Sequence, residues 1–556
     1  MLRCYIRSAL FICIVLSTAL VTVSQAQTDE PPYFAIRNAR IVPVSGPVID
    51  NGTVVIARGL ITAVGKDVTI PPEAWVIDGK GLTVYPGFID AFTDLGLPTA
   101  APSTVTPGQG GANNPQQATR VARGPEDRPA TTPWQHAADE LNPEDKRFES
   151  WRNACFTSAL VAKRDGIFSG QGALINLAGE RAGDMIVKSP ATLNISFQSP
   201  GGFISFPGSL MGTMAYVKQV LLDTTHFGEA DKLYRTNPRG LQRPEYDRAV
   251  RAIYDALISQ RPVLLPGNTS AQILRTLKLS EEFSLRTVLY GGQQGYEVAS
   301  TLAAKRIPVL VSLKWPEKDR EADPDADESL ELLRLRDRAP STPAALEKAG
   351  VKFAFYSDGI TNPKDILKNA KKAIEAGLPP EAALRAFTLN AAEIFGVVDQ
   401  LGSIDTGKIA NLVVADGDLF NDKTKVKMIF VDGHKYEVRE PSRPTEPPTV
   451  NLTGRWTLTV ASPQGTQTVT ADLTMSQDGT LTGTVTSAVG SGSISTGYVS
   501  SNKFSFTVTL TLGQRPVDTT FSGNVENNQM KGSVSLGRFS AEFTGIRPNT
   551  EMGGEQ

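Results

Sequence analysis

Between residues 89 and 400, short apolar runs alternate with helical stretches, and this alternation constrains the fold more than any other feature. Val263-Leu264-Leu265, Thr287-Val288-Leu289-Tyr290, Val309-Leu310-Val311-Ser312 and Val351-Lys352-Phe353-Ala354-Phe355 each stand next to a segment of helical composition. Strands joined through helices run parallel, because a parallel pair needs a long crossover that a tight turn cannot supply. The span predicts a single (β/α)8 barrel of the TIM type, which takes about 250 residues. One helix is marked at both ends. Pro379 and Pro380 open it, Glu381 stands in its first turn, Ala383, Phe387 and Ile394 share a face, and Gly396 caps it, so a continuous helix is expected over 379–395.

The flanks read differently. Thr53–Ala57 and Leu60–Val64 bracket Arg58-Gly59, the spacing of a tight hairpin, within a β-rich stretch over 34–88. Residues 98–133 are crowded with Pro, Gly, Ala, Thr and Asn and are expected to form a mobile insert; the mixed charges of 317–338 predict a solvated helix and loop. A proline-rich linker occupies 441–450, and residues 451–547 alternate apolar and polar side chains between regularly spaced turns. That pattern predicts about eight strands in an up-and-down barrel or a small sandwich. The opening Gly454-Arg455-Trp456 resembles the Gly-x-Trp start of lipocalin-type barrels.

Charge excludes one class of partner. The chain has 56 basic and 58 acidic residues, a formal net charge of −2, and so no basic field to hold nucleic acid. Arg3 and Arg7, the apolar run Ala9–Val23 and Ser24-Gln25-Ala26 read as a signal peptide over 1–26, so an exported protein is expected, periplasmic or extracellular, with no membrane span after cleavage. Cys4 and Cys13 would leave with the signal. Cys155 alone remains, which excludes an intrachain disulfide and leaves it a packing role at the head of the apolar run Phe156–Val161.

Tyr85-Pro86-Gly87-Phe88-Ile89-Asp90-Ala91-Phe92-Thr93-Asp94 resembles the first barrel strand of the amidohydrolase superfamily, in its imidazolonepropionase-like branch. The likeness returns at Phe355-Tyr356-Ser357-Asp358-Gly359, at Ala383–Ala392 and at Leu401–Val414, in the family's order. The resemblance implies a barrel over 89–400 and a composite β-sandwich made from 27–88 and 401–440. It also implies a hydrolase of non-peptide carbon–nitrogen bonds, using zinc or another divalent metal held by two strand-1 histidines, further ligands and an aspartate after strand 8. Such a metal makes hydroxide available near neutral pH, and the aspartate moves the proton.

This sequence departs from that pattern where the chemistry lies. Phe92 and Asp94 stand in place of the two strand-1 histidines, and Phe92 cannot ligate a metal. The three histidines of the chain are His136, His226, placed in a loop beyond a helix, and His434; none ends a barrel strand, so no metal ligand set and no cofactor are predicted. Asp358 matches the proton-shuttling aspartate and is the one catalytic candidate, with Phe92, Asp94 and Tyr356 as candidate pocket residues. Asp94 and Asp358 together are a remote candidate pair for a hard cation. Asp90 is assigned a structural role, and Asp358→Asn is expected to leave folding intact. No Gly-x-Ser-x-Gly elbow occurs, and Ser500-Ser501-Asn502-Lys503 falls in a turn of the last domain. Three readings follow. One is an amidohydrolase-type protein with degenerate metal chemistry; a second is a non-catalytic subunit that binds a small molecule, a second copy of itself or a related chain with intact histidines; the third places the function mainly in the C-terminal β domain, with the barrel as its support.

Overall fold

The computed structural model describes residues 33–98, 128–198, 206–318, 327–360, 362–438 and 446–547, apart from a few turn positions within the last stretch. The expected signal and most of the 98–133 insert lie outside the described residues. The chain divides into two compact units, 1–438 and 439–556.

Two sheets build the first unit. Its flanks supply β1 (Tyr33–Ile41), β2 (Ile49–Ala57), β3 (Leu60–Gly65), β4 (Trp75–Asp78) and β5 (Thr83–Pro86). Eight strands from the middle of the chain follow: β6 (Phe88–Thr93), β7 (Phe156–Val161), β8 (Phe168–Asn176), β9 (Ile186–Ile195), β10 (Val263–Gly267), β11 (Thr287–Gly291), β12 (Val309–Ser312) and β13 (Phe353–Tyr356). The chain then returns to the flank as β14 (Leu412–Ala415), β15 (Val426–Val431) and β16 (His434–Glu437). Both flanks join one sheet, in which β14 pairs with β5 and β5 with β1. Phe34, Ile36, Val54, Ile56, Leu412 and Phe430 fill its core.

The middle strands pair in chain order and the sheet curls until β6 and β13 lie side by side. The Ser357 amide donates to Asp90 Oδ1 at 3.0 Å across that seam. Pairing is parallel throughout except at β8, which runs antiparallel to both β7 and β9. The six residues between β7 and β8 are too few for a crossover, so the strand turns straight back and strict β/α alternation fails there. Inside the curl pack Ile89, Leu160, Leu174, Leu264, Val288 and Leu310, while Phe88, Phe156, Phe355 and Phe387 form an aromatic cluster on the outside.

The helix expected over 379–395 is two helices, Pro380–Phe387 and Leu389–Phe395. Thr388 leaves helical geometry, at φ −127° and ψ −94°, and its hydroxyl donates to the Leu384 carbonyl at 2.6 Å. The break lets each half face a different core. Phe387 stacks on Phe88 outside the sheet, whereas Ala391, Ile394 and Phe395 join the apolar cluster inside it. Gly396, at φ 67°, ends the second helix as the sequence suggests. Of the charged 317–338 stretch, residues 319–326 lie outside the described residues, and Leu330–Arg338 is a helix that buries no side chain.

The second unit is a closed antiparallel barrel. β17 (Gly454–Ser462), β18 (Gly465–Met475), β19 (Leu481–Ser487), β20 (Gly490–Ser500), β21 (Lys503–Leu512), β22 (Arg515–Glu526), β23 (Gln529–Leu536) and β24 (Phe539–Ile546) pair in order, and β24 returns to β17. Alternation sends Trp456, Leu458, Phe504, Phe506, Phe521 and Phe543 inward. Trp456 donates its indole N–H to the Leu452 carbonyl at 2.9 Å, and Arg547 lies 4.8 Å over its ring. Ser501 sits in the β20–β21 turn, at φ 51°.

Candidate functional site

Parallel strands deliver their C-terminal ends to one rim of the curled sheet, and five of them contribute to a single cluster there. Phe92 comes from β6, Arg164 from the turn after β7, Tyr290 from β11, Ser312 from β12, and Tyr356 and Asp358 from the end of β13. Arg164 Nη1 donates to Asp358 Oδ1 at 2.7 Å, and its Nη2 donates to the Phe92 carbonyl at 3.1 Å. The guanidinium lies 4.6 Å over the Phe92 ring and 5.6 Å from the Tyr356 ring centre. Ser312 Oγ donates to the other Asp358 oxygen at 2.7 Å. Both carboxylate oxygens of Asp358 are therefore engaged.

The backbone at Asp358 is left-handed, φ 50°, a conformation Asp tolerates better than most residues, and Gly359 follows at φ 74°. That turn aims the carboxylate back at Arg164. Phe92 packs edge-on against Tyr290, ring centres 5.1 Å apart, and 5.8 Å from Tyr356. Burial pushes the Tyr290 hydroxyl up to about 12 and raises that of Tyr356 well above its usual value, with Asp358 adding to the second shift. Both phenols are neutral hydrogen-bonding groups at neutral pH. Burial opposes the charge of Arg164, yet Asp358 holds its pKa above the usual value.

Asp90 is fully buried beneath this cluster. It accepts from the Ser357 amide and, at 3.3 Å, from the Trp151 indole, and burial raises its pKa. The carboxylate ties the first strand to the last, in keeping with the structural role read from the sequence. Asp94 is not part of the cluster. Its half-exposed side chain pairs with Arg147 at 3.1 Å, and Arg147 also holds the Asp94 carbonyl. Asp94 and Asp358 thus each have an arginine of their own, which leaves no shared cation site between them.

A divalent metal does not fit these donors. The strand-1 position holds an aromatic ring under a guanidinium, a fixed positive charge that repels a cation, and Asp358 has no free oxygen. Among the described residues no three His, Cys, Asp or Glu side chains converge. His136 stands just before the short helix Ala137–Glu140, with no side-chain bond to its first turn, and His434 is exposed in β16. His226 is an exposed residue within the long helix Leu210–Thr236, not in a loop beyond one. Cys155 is buried and its thiol is pushed up to about 12 by that burial, which rules it out as a nucleophile at neutral pH.

Sequence reading thus placed Phe92, Tyr356 and Asp358 together and missed Arg164, Tyr290 and Ser312. Arg164 was accessible to the rule that working groups follow barrel strands, since Lys163-Arg164 comes just after Phe156–Val161.

A model of the Amidohydrolase family matches residues 311–436. The amidohydrolase tasK of Hapsidospora irregularis is 22% identical over 411 residues, covering 69% of this chain but 39% of its own length. An adenine deaminase of Clostridium botulinum (strain Loch Maree / Type A3) is 33% identical over 93 residues, 16% of this chain and 15% of that protein. The chain therefore spans well under two thirds of these curated relatives. A solved amidohydrolase from Thermotoga maritima MSB8 matches 73% of this chain and 100% of its own, with 26% identity and a TM-score of 0.59.

Proposed function

Because this chain belongs to the amidohydrolase superfamily, we propose that its curled sheet is a (β/α)8-type barrel with one reversed strand, and that its mouth binds a small organic molecule without metal-dependent hydrolysis. One observation carries this reading. The Arg164 guanidinium, bonded to Asp358 and laid on Phe92, fills the place from which the superfamily's first-strand ligands would reach a metal. The mouth keeps a cation backed by aromatic faces and two neutral phenols, groups that orient a polar ligand. The signal-like Arg3, Arg7 and Ala9–Val23 support export, with binding outside the cytoplasm.

Elemental analysis of the purified protein tests the reading, together with amidase and deaminase assays run with chelator and with Zn²⁺ restored. Substoichiometric metal and background turnover are expected. One tightly bound equivalent of zinc, iron or manganese, with turnover that a chelator abolishes, overturns it. Self-association is a second reading, favoured by Met211, Leu222 and Leu233. They recur every eleven residues on the helix Leu210–Thr236, so they share a face, and all are exposed, Met211 to 82%. Light scattering that gives a monomer across a hundredfold range of concentration counts against it.

A further inference from the structure

The end of the curled sheet opposite Asp358 carries a ring of cations. Parallel strands begin there, and five consecutive ones each begin beside a basic residue. Lys188 is the third residue of β9, Arg261 lies two residues before β10, Arg286 one before β11, Arg306 three before β12 and Lys352 one before β13. Compensation is partial. Glu393, on the helix Leu389–Phe395 that closes this end, pairs with Lys352, while Asp255 acts on Arg261 but is itself bonded to Arg251. Arg286 donates to the Gln260 carbonyl, and the Arg306 guanidinium has no partner among the described residues. Lys188 shows that repulsion remains: burial, then Arg286 and Arg261, lower its pKa even though it donates to the Phe395 carbonyl at 2.8 Å.

Between the bases of β11, β12 and β13 this ring borders a cavity of about 570 Å³. Arg286, Arg306 and the Lys352–Glu393 pair stand on its wall, and the partly exposed Ala303, Ile307 and Pro308 give it an apolar lining above the buried Val288 and Ile394. The volume falls within the roughly 300–1,000 Å³ of small-molecule pockets. Lys352 is answered by Glu393, but Arg286 and Arg306 have no carboxylate partner among the described residues. Guanidinium groups bind oxyanions through paired N–H donors, and the apolar lining gains from contact with hydrocarbon.

We propose that this cavity at the base of the sheet is a second ligand site, for a small amphiphile with an oxyanion head, carboxylate or phosphate, and a short apolar body. The head sits between Arg286 and Arg306, and the body lies on Ala303, Ile307 and Pro308. The site is separate from the mouth, since none of these residues touches Arg164 or Asp358.

Calorimetric titration of the full-length protein tests it with octyl phosphate and octanoate, each below its micellar concentration, and with inorganic phosphate, octanol and octylammonium as comparisons. The two amphiphilic anions should bind at least tenfold more tightly than any comparison, and added salt should weaken them. Arg306→Asn removes the charge with a residue that also accepts the left-handed backbone, φ 53°, so it should fold normally and lose tenfold or more in affinity. Arg286→Gln should do the same, and Arg306→Lys should retain part of the binding. Circular dichroism checks that each variant is folded. Equal binding of octanol or octylammonium overturns the role of the cations, and equal binding of inorganic phosphate overturns that of the apolar lining. The proposal as a whole fails if the unaltered protein binds neither anion, or if folded Arg306→Asn and Arg286→Gln bind as before.

Discussion

Arg164 and Asp358 hold one another in a partly buried pair, which changes what an isosteric amide at position 358 should do. The sequence alone predicts that Asp358→Asn leaves folding intact. With the pair in place, the amide leaves Arg164 charged and short of one acceptor, and its own NH2 group faces the guanidinium donors. Partial exposure of both side chains softens the penalty, so a loss of roughly 1–2 kcal/mol is expected, read as a fall in denaturant midpoint. Unchanged stability means that the pair is solvent-screened and that Arg164 is held by its aromatic neighbours. The nearby phenols make a second prediction. Tyr290 has a folded pKa of about 12 against roughly 10 for an unfolded tyrosine, and Tyr356 is shifted the same way. Between those values the unfolded chain loses its proton first. Stability from Tyr290 is therefore whole below about pH 10 and lost as the pH rises toward 12, and Tyr356 adds a loss of the same sign at high pH. Ultraviolet titration should find these two tyrosines ionising only with unfolding; early ionisation of every tyrosine in the protein would contradict their burial.

The seam between β6 and β13 shows how one buried group serves two elements. Asp90 accepts from the Ser357 amide beyond the last strand and from Trp151 on the helix Arg147–Asn153, so it closes the sheet where no ladder of backbone bonds does. Asp90→Ala strands both donors in an apolar interior and should cost about 2 kcal/mol, after allowing for the desolvation that the carboxylate itself bears. Chemical denaturation measures it, and a variant more stable than the parent would assign Asp90 no part in closure. How these elements appeared in the sequence follows from what each motif encodes. β10 to β13 were legible because apolar runs of strand length alternate with helices, and the hairpin at Arg58-Gly59 because only certain residues turn so tightly. The reversal of β8 was masked by its composition: Phe168–Asn176 is buried along its whole length, as strands of parallel sheets are, and only the six-residue gap after β7 betrays that it turns back. The break at Thr388 was hidden for another reason: Ala383, Phe387 and Ile394 fit a single face, and only the two separate cores they enter reveal the kink. At the site, Asp358 and Phe92 were found through motifs, while Arg164 gains its meaning from a partner 194 positions away.

At the scale of the whole chain, each unit carries its own apolar interior. Trp456, Phe504, Phe506, Phe521 and Phe543 cluster with one another inside the closed barrel, and the cores of the first unit are built from residues no later than Val438. Closure matters here, because the β17–β24 pairing leaves the small barrel without a bare edge that would need covering from elsewhere. The cap made by Arg547 also lies within that unit. Its guanidinium donates to the Thr453 and Asn451 carbonyls and covers the Trp456 ring, so one end of the barrel is sealed by its own chain. Cooperative unfolding follows the core rather than the chain, and two cores joined by the proline-rich stretch at 441–450 should unfold as two transitions. Limited proteolysis in that stretch is expected to yield fragments near 33–438 and 446–547, each melting in a single step at the temperature it shows in the intact protein. Arg547→Ala should lower only the transition of the smaller fragment, by unsealing Trp456. A smaller fragment that is unfolded once cut free, or one transition in the intact protein that Arg547→Ala shifts as a whole, would mean that the barrel draws its stability from the rest of the chain.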